Sequence, residues 1–382
     1  TIQNLPEEQT GLVYSSGDGS LASLNYAQEK QNTTVISGGT IATSIFGSHK
    51  QDYFVAANQN SHAMMVFDVA LGSQLLMNVP NIYRVSMNTN ATLVLGFVQN
   101  SNDVFSLFKL TSAQQAQYAT PAAWTAAGFQ DCEPQTLPKY CVTKVADPNG
   151  EFDRPGKAIF SADGQSIYVL NCGQECGGTQ AGIVTIPISA SVLNTNTAGG
   201  PAGLNLQAGP VLHVPGGATN ALQDGSTLYV AGQQLQPDGL LAGSLSVVNL
   251  ASYTVAAQYA ISDGTHNKMS FADDNTLWIG SQKCQNGERF AKSSAGQNVQ
   301  FGCLTLFNRS TNAVTVDRYI GDITGIADVE GLHKIYVGEG GQVHIYRTPD
   351  FAELDNTNVT VTGTVSDVAY MDGSSDANNT TY

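Results

Sequence analysis

Four oxygen-bearing side chains alternate through Asp147-Pro148-Asn149-Gly150-Glu151-Phe152-Asp153. Alternate oxygens in a turn are what calcium loops use. Here the glycine stands at the fourth place instead of the sixth, and Ala158 occupies the place of the closing bidentate glutamate. Asp147, Asn149, Glu151 and Asp153 are therefore read as an acidic turn first and as weak metal candidates second. The six histidines (His49, His62, His213, His266, His333, His344) are scattered, with no His-Glu-x-x-His and no pair four residues apart. A metal or acid–base site would have to gather its groups from distant segments. No Gly-x-Ser-x-Gly elbow, phosphate loop or dinucleotide fingerprint occurs. Gly338-Glu339-Gly340-Gly341 joins two expected strands and reads as a hairpin turn. No cofactor is expected.

Positioning falls to a phrase that recurs. An apolar or aromatic run, usually closed by a small residue, appears at Leu12-Val13-Tyr14-Ser15, Tyr53-Phe54-Val55-Ala56 and Leu93-Val94-Leu95-Gly96. It returns at Ile167-Tyr168-Val169-Leu170, Leu228-Tyr229-Val230-Ala231, Leu277-Trp278-Ile279-Gly280 and Ile335-Tyr336-Val337-Gly338. These seven copies are spaced 40 to 74 residues apart. A repeat of that length marks a ring or solenoid of supersecondary units. Each copy is preceded by a short apolar segment and a tight turn and followed by two further alternating segments, so each unit is expected to be a four-stranded antiparallel sheet. The first unit lacks its leading strand, and Thr364–Tyr370 near the other end is a spare one. The C-terminal strand is expected to complete the first unit and remove an open edge.

Ser161-Ala162-Asp163-Gly164-Gln165-Ser166-Ile167-Tyr168-Val169 is close to the repeat phrase of the bacterial YVTN/WD40-like propellers, and Gly225–Val230 and His333–Val337 are weaker echoes. The chain resembles a seven-bladed β-propeller of that kind over nearly its whole length. The Trp-Asp and Gly-His pairs of true WD40 repeats are absent. The resemblance implies an all-β single domain over residues 1–382, with 1–10 a lead-in and 372–382 a tail. It implies rigid blades with function on the loops. Three long second-to-third strand loops, Cys172–Gln180, Gly232–Leu241 and Ser281–Gly302, would form one wall over adjacent blades four to six. That wall is the expected binding surface, with Gln174, Glu175, Gln233, Gln234, Gln285, Asn286 and Arg289 as its contact residues. Arg84, Arg154, Asn220, His266, Asp322 and Asp367 would stand near the channel mouth on the same face. Most such residues only hydrate a channel, so no catalytic set is expected; His266, Asp322, Arg84 and Arg154 are the alternative. On the opposite face, Thr111–Tyr140 carries an Ala- and Gln-rich stretch, Ala113–Ala127, able to form a short helix, and Ala190–Ala208 reads as a loop.

The cysteines form three local pairs, each bracketing one insertion: Cys132/Cys141, Cys172/Cys176 and Cys284/Cys303. Sequence permits other connectivities, and free buried thiols are the alternative, but local disulfides are expected. They place the protein in an oxidising compartment: secreted, periplasmic or on a bacterial cell surface. With 16 Lys and Arg and a net charge of −15, the chain cannot neutralise many phosphates, which excludes nucleic acid as a natural partner. No run of 18 apolar residues is present, so no transmembrane segment is expected. The leading expectation is a non-catalytic scaffold that binds a protein or glycan of the cell envelope, or itself. The competing expectation is a lactonase-like propeller hydrolase with its site at the channel mouth. Convergence of polar groups on one point separates the two.

Overall fold

In the computed structural model each copy of the recurring phrase is the second strand of an antiparallel sheet. The structure describes residues 12–16, 20–25, 30–37, 42–47, 53–58, 62–68, 73–88, 93–188, 206–284, 302–317, 321–329, 333–339, 342–348, 350–354, 359–360 and 365–370. The fourth sheet shows how the local sequence makes the unit. Pro155–Phe160 turns through Ala162-Asp163-Gly164-Gln165 into Ser166–Asn171. Gly164 takes a φ of 67°, cheap only without a Cβ. The Asp163 carboxylate accepts from the Ser161 hydroxyl at 2.6 Å and the Gln165 N–H at 2.9 Å, which pins the turn. Gly182–Pro187 and Val211–His213 complete the sheet.

The same order repeats. Among the described residues the strands form seven sheets, six of four strands and one of five. Their innermost strands are Val365–Tyr370, Ala42–Gly47, Ile82–Met87, Pro155–Phe160, Asn220–Asp224, Thr265–Phe271 and Ile323–Val329, for the first to the seventh sheet. Each packs beside the next, and Ile323–Val329 packs beside Val365–Tyr370 again. The expected closure is present: Val365–Tyr370 pairs with Leu12–Ser16, with Leu12 opposite Tyr370 and Tyr14 opposite Val368. The architecture is that of an all-β propeller with four-stranded antiparallel blades. Five apolar cores are described, joining consecutive sheets from the second to the seventh.

The small residue that closes the phrase has a packing reason. A Cβ on Gly280 would lie 2.4 Å from Ile323 Cγ2 in the next sheet. One on Gly338 would lie 2.8 Å from Val365 Cγ1, again in the next sheet. The aromatic of the phrase fills the opposite need, since Trp278 and Tyr336 are fully buried. Trp278 stacks at an angle on Tyr346, with ring centroids 5.6 Å apart.

Three expectations are corrected. The insert after Val104–Lys109 forms two short helices, Ser112–Gln117 and Pro121–Ala126, where one was expected. Thr111 and Thr120 each cap a helix start, and the second start cuts the Ala-rich run in two. The same insert adds a fifth strand, Asp131–Glu133, to the third sheet, with Cys132 directly opposite Cys141. Lastly, Gly232–Leu241 is not a loop. Thr227–Leu235 and Leu241–Asn249 stay paired up to Leu235 and Leu241, so the hairpin simply rises higher. The Gln236–Leu240 turn closes it, with Gly239 at a φ of 82°.

Ring closure generates a prediction. Val368 is 5% exposed, and its backbone N would be 2.6 Å from a Cβ at Gly325. An aspartate there would be a buried charge without a partner, so Val368→Asp should cost about 3 kcal/mol or more. Urea unfolding measures it, and an unchanged midpoint would show that this strand does not hold the ring.

Candidate functional site

The inner strands begin on one face, here called the top, and the second-to-third strand connections lie on it too. Near those starts the pairing slips. Register shifts occur between Ala42 and Ser44, Ile82 and Arg84, Pro155 and Lys157, Thr265 and Lys268, and Ile323 and Gly325. A bulge adds a residue on one strand and re-aims its neighbours. Arg84, Lys157 and Lys268 each stand at such a slip, half-buried in the upper part of an inner strand.

Arg84 reaches furthest. Its Nη2 donates to Asn267 Oδ1. Arg84 belongs to the third sheet and Asn267 to the sixth, and their inner strands are separated by those of the fourth and fifth. The side chain therefore spans the space the inner strands enclose. It leaves its own blade over the Tyr83 ring, 5.3 Å from the centroid. Gly156 lets it pass, since a Cβ there would be 3.0 Å from the Tyr83 hydroxyl and 3.5 Å from Arg84 Nη1. Lys157 donates to Asn220 Oδ1 and so links the fourth inner strand to the fifth.

Glu175 closes the group from above. It sits in the 3-10 turn Gly173–Cys176, directly after Ser166–Asn171. Its Oε2 accepts the Gln233 N–H at 2.8 Å and its Oε1 accepts from Gln233 Nε2 at 3.1 Å. The carboxyl enters a gap that only glycine permits, because a Cβ on Gly217 would lie 2.5 Å from Oε2. Burial pushes the Glu175 carboxyl up to about 7, against the pull of the two Gln233 hydrogen bonds and of the Arg84 guanidinium. Gln233 Oε1 accepts the Gly264 N–H at 3.2 Å, which carries the chain of contacts on to the sixth blade. Arg84, Glu175, Gln233 and Asn267 thus join four blades at the mouth. A carboxyl that titrates near neutrality beside a guanidinium can move a proton and steady a developing oxyanion.

The remaining expected residues sit elsewhere. Arg154 turns outward: its Nη1 donates to the Asn100 carbonyl and its N–H to Asn102 Oδ1 at 3.0 Å. Asp322 accepts the Lys283 N–H at 2.6 Å and braces the sixth blade's upper loop. His266 is wholly buried, with Nε2 2.7 Å from the Ser262 carbonyl. Asp367 lies on the closing strand, its side chain outside the described part. Asn220 does join the channel, through Lys157. Of the expected wall, Glu175 and Gln233 converge. Gln234 accepts from Gln258 Nε2 at 2.9 Å and Gln174 is exposed. Gln285, Asn286 and Arg289 lie outside the described residues.

The acidic turn is occupied by protein donors. Asp147 accepts the Glu151 N–H at 2.7 Å and the Phe152 N–H at 3.3 Å. Asn149 Nδ2 donates to Glu151 Oε1 at 3.4 Å. Asp153 Oδ2 takes the Thr179 N–H, the Thr179 hydroxyl and the Gln180 N–H at 2.7, 2.6 and 2.7 Å. Burial opposes ionisation of Asp153, yet these hydrogen bonds and Arg154 together hold its carboxyl below the usual range. Among the described residues no group of three or more His, Cys, Asp or Glu is disposed to hold a metal. All three expected disulfides are formed.

No protein-family model matches the chain, and no curated relative matches it. Solved structures do. The chain is similar to a proposed 6-phosphogluconolactonase from Bacteroides uniformis, with TM-score 0.63 and 10% identity over 95% of this chain and 100% of that one. A proposed 6-phosphogluconolactonase from Bacteroides fragilis matches with TM-score 0.61 and 11% identity, covering 96% and 98%. The dihydro-heme d1 dehydrogenase NirN matches with TM-score 0.56 and 11% identity, covering 96% of this chain and 75% of that one. At such identity the likeness establishes a propeller fold and nothing finer.

Two buried groups pull stability in opposite directions with pH. Burial lowers His266 from 6.5 to about 4, partly offset by its Ser262 hydrogen bond. The folded state thus refuses a proton that the unfolded chain takes, and stability falls as pH drops through that window. Glu175 is raised from 4.5 to about 7, so it binds a proton on folding and its contribution is lost as pH rises through that window. Urea unfolding from about pH 4 to 7 should show His266→Gln flattening the acid-side loss and Glu175→Gln abolishing the opposite slope.

Proposed function

We propose that this chain is a propeller hydrolase that opens lactones at the top mouth of its channel. The observation that carries the reading is the Glu175 carboxyl, pushed by burial to titrate near neutrality and gripped by Gln233 at the mouth that Arg84 reaches across. In this reaction the Glu175 carboxylate takes a proton from water as the water oxygen attacks the lactone carbonyl carbon. Arg84, released from Asn267, donates to the oxyanion that forms. The ring C–O bond then breaks, and Glu175 returns its proton to the departing alkoxide. The products are a hydroxy acid and the unchanged enzyme.

That two similar folds carry lactonase names accords with this reading. The polar convergence favours it over a passive scaffold, whose expected wall turns out to be partly an internal pairing of Glu175 with Gln233. The reading takes the seven sheets and the closing strand as a complete seven-bladed ring around the site. It places the protein outside the cytoplasm, where three disulfides persist.

Hydrolysis of a panel of five- and six-membered sugar lactones tests the proposal. Glu175→Gln should lower kcat by about 100-fold or more, and Arg84→Met by a similar factor of about 100. The rate should rise with pH through an apparent value near 7 that Glu175→Gln removes. Failure to open any lactone, or a Glu175→Gln variant as active as the parent, sinks the proposal.

A further inference from the structure

We infer that the Cys172–Cys176 disulfide is a reducible clamp that positions Glu175 at the channel mouth, and that a dithiol opening it switches the site off. The inference rests on the hydrolase reading for its effect on activity, but its structural part stands apart.

Glu175 lies inside the small ring that this disulfide closes, with four residues of separation between the cysteines. The enclosed turn, Gly173–Cys176, is a single 3-10 turn with no side-chain cap. Such a turn has little stability of its own. Its flanks are held independently of the disulfide. On the upstream side the Cys172 N–H donates to the Arg154 carbonyl at 3.0 Å and the Gly173 N–H to the Asp153 carbonyl at 3.2 Å. On the downstream side Asp153 Oδ2 accepts from Thr179 and Gln180. Gly178 packs so closely there that a Cβ would lie 2.1 Å from Asp153 Oδ1. Between these anchors, among the described residues, the disulfide, the turn's own backbone bonds, the Gln233 contacts and the packing on Gly217 fix Glu175. Opening the disulfide therefore loosens the carboxyl without freeing the sheet.

Access is graded in the right way. Cys176 is exposed, whereas its partner Cys172 is 1% exposed. Cys132 and Cys141 are both fully buried, and Cys303 is 1% exposed with Cys284 half-buried. A dithiol's thiolate attacks Cys176 Sγ, breaks the S–S bond and expels Cys172 as a thiolate, which takes up a proton. The second thiol of the reagent resolves the mixed disulfide. Two electrons pass to the protein, both cysteines end as thiols, and the dithiol ends as a cyclic disulfide. Glu175 is here the group that touches substrate; the two cysteines act through it.

The test uses the full chain and dithiothreitol under native conditions, with alkylation and mass spectrometry to locate free thiols. The Glu175 carboxyl is followed by carbon NMR, assigned with Glu175→Gln. We expect thiols at Cys172 and Cys176 first, and a Glu175 titration that falls from about 7 toward 4.5 as the group returns to water. Lactone hydrolysis should drop at least tenfold, with its pH profile displaced the same way, and recover on reoxidation. Cys172→Ala/Cys176→Ala should reproduce the reduced state without reagent. An unmoved Glu175 titration once both sulfurs are free, or in the double variant, overturns the clamp. A bond that resists dithiothreitol overturns the switch, while the variant still reads out positioning. A shifted titration in a protein that opens no lactone supports the clamp and overturns the hydrolase.

Discussion

The pairing of Val365–Tyr370 with Leu12–Ser16 sets the terms for everything else in this molecule. It joins strands from opposite ends of the 382-residue chain into one sheet and leaves no innermost strand without neighbours on both sides. An open array of the same sheets would expose an inner edge and an apolar face at each end. Closing it also fixes the spacing between inner strands, and hence the width of the space that Arg84 and Lys157 cross. The close approaches at Gly280, Gly325 and Gly338 are consequences of the same geometry, where Ile323, Val368 and Val365 press against positions that have no Cβ.

Within that frame the site is made by departures from the repeat. The slips near the heads of the inner strands turn basic side chains inward, where a regular ladder would alternate them away. The tall hairpin of the fifth blade brings Gln233 to the mouth, and the disulfide-closed turn of the fourth brings Glu175 to meet it. Polar groups taken from water in this way need partners. Asn267 serves Arg84, Asn220 serves Lys157 and Gln233 serves Glu175. A chain of net charge −15 thus gathers basic groups at the one place where its inner strands face each other.

The parts legible beforehand were those with short-range causes. Asp163-Gly164 announced a hairpin because one residue needs positive φ and the other binds its own turn. The local cysteine pairs announced their bridges, because each brackets one insertion. Pro237-Asp238-Gly239 was an equally good turn signal inside a segment taken as loop, and reading it would have extended the fifth hairpin. Lys157, a charged residue near the head of the apolar strand Pro155–Phe160, also carried a signal. Charged groups seldom open a buried strand without a partner or a task.

The amino-acid sequence by itself determined the repeat, the antiparallel units and the origin of the closing strand, and it pointed to local cysteine pairs that the structure then joined. Each depends on patterns within one unit or on one unmatched segment. Only the tertiary structure decided which polar residues meet. Arg154, His266 and Asp322 lie, like Arg84, within or just before the head of an inner strand, yet they brace loops or lie in the core. The difference comes from register slips of one residue and from contacts between blades that are far apart in the chain. A slip of one residue turns a side chain to the other face of its strand, and nothing in the local sequence records it.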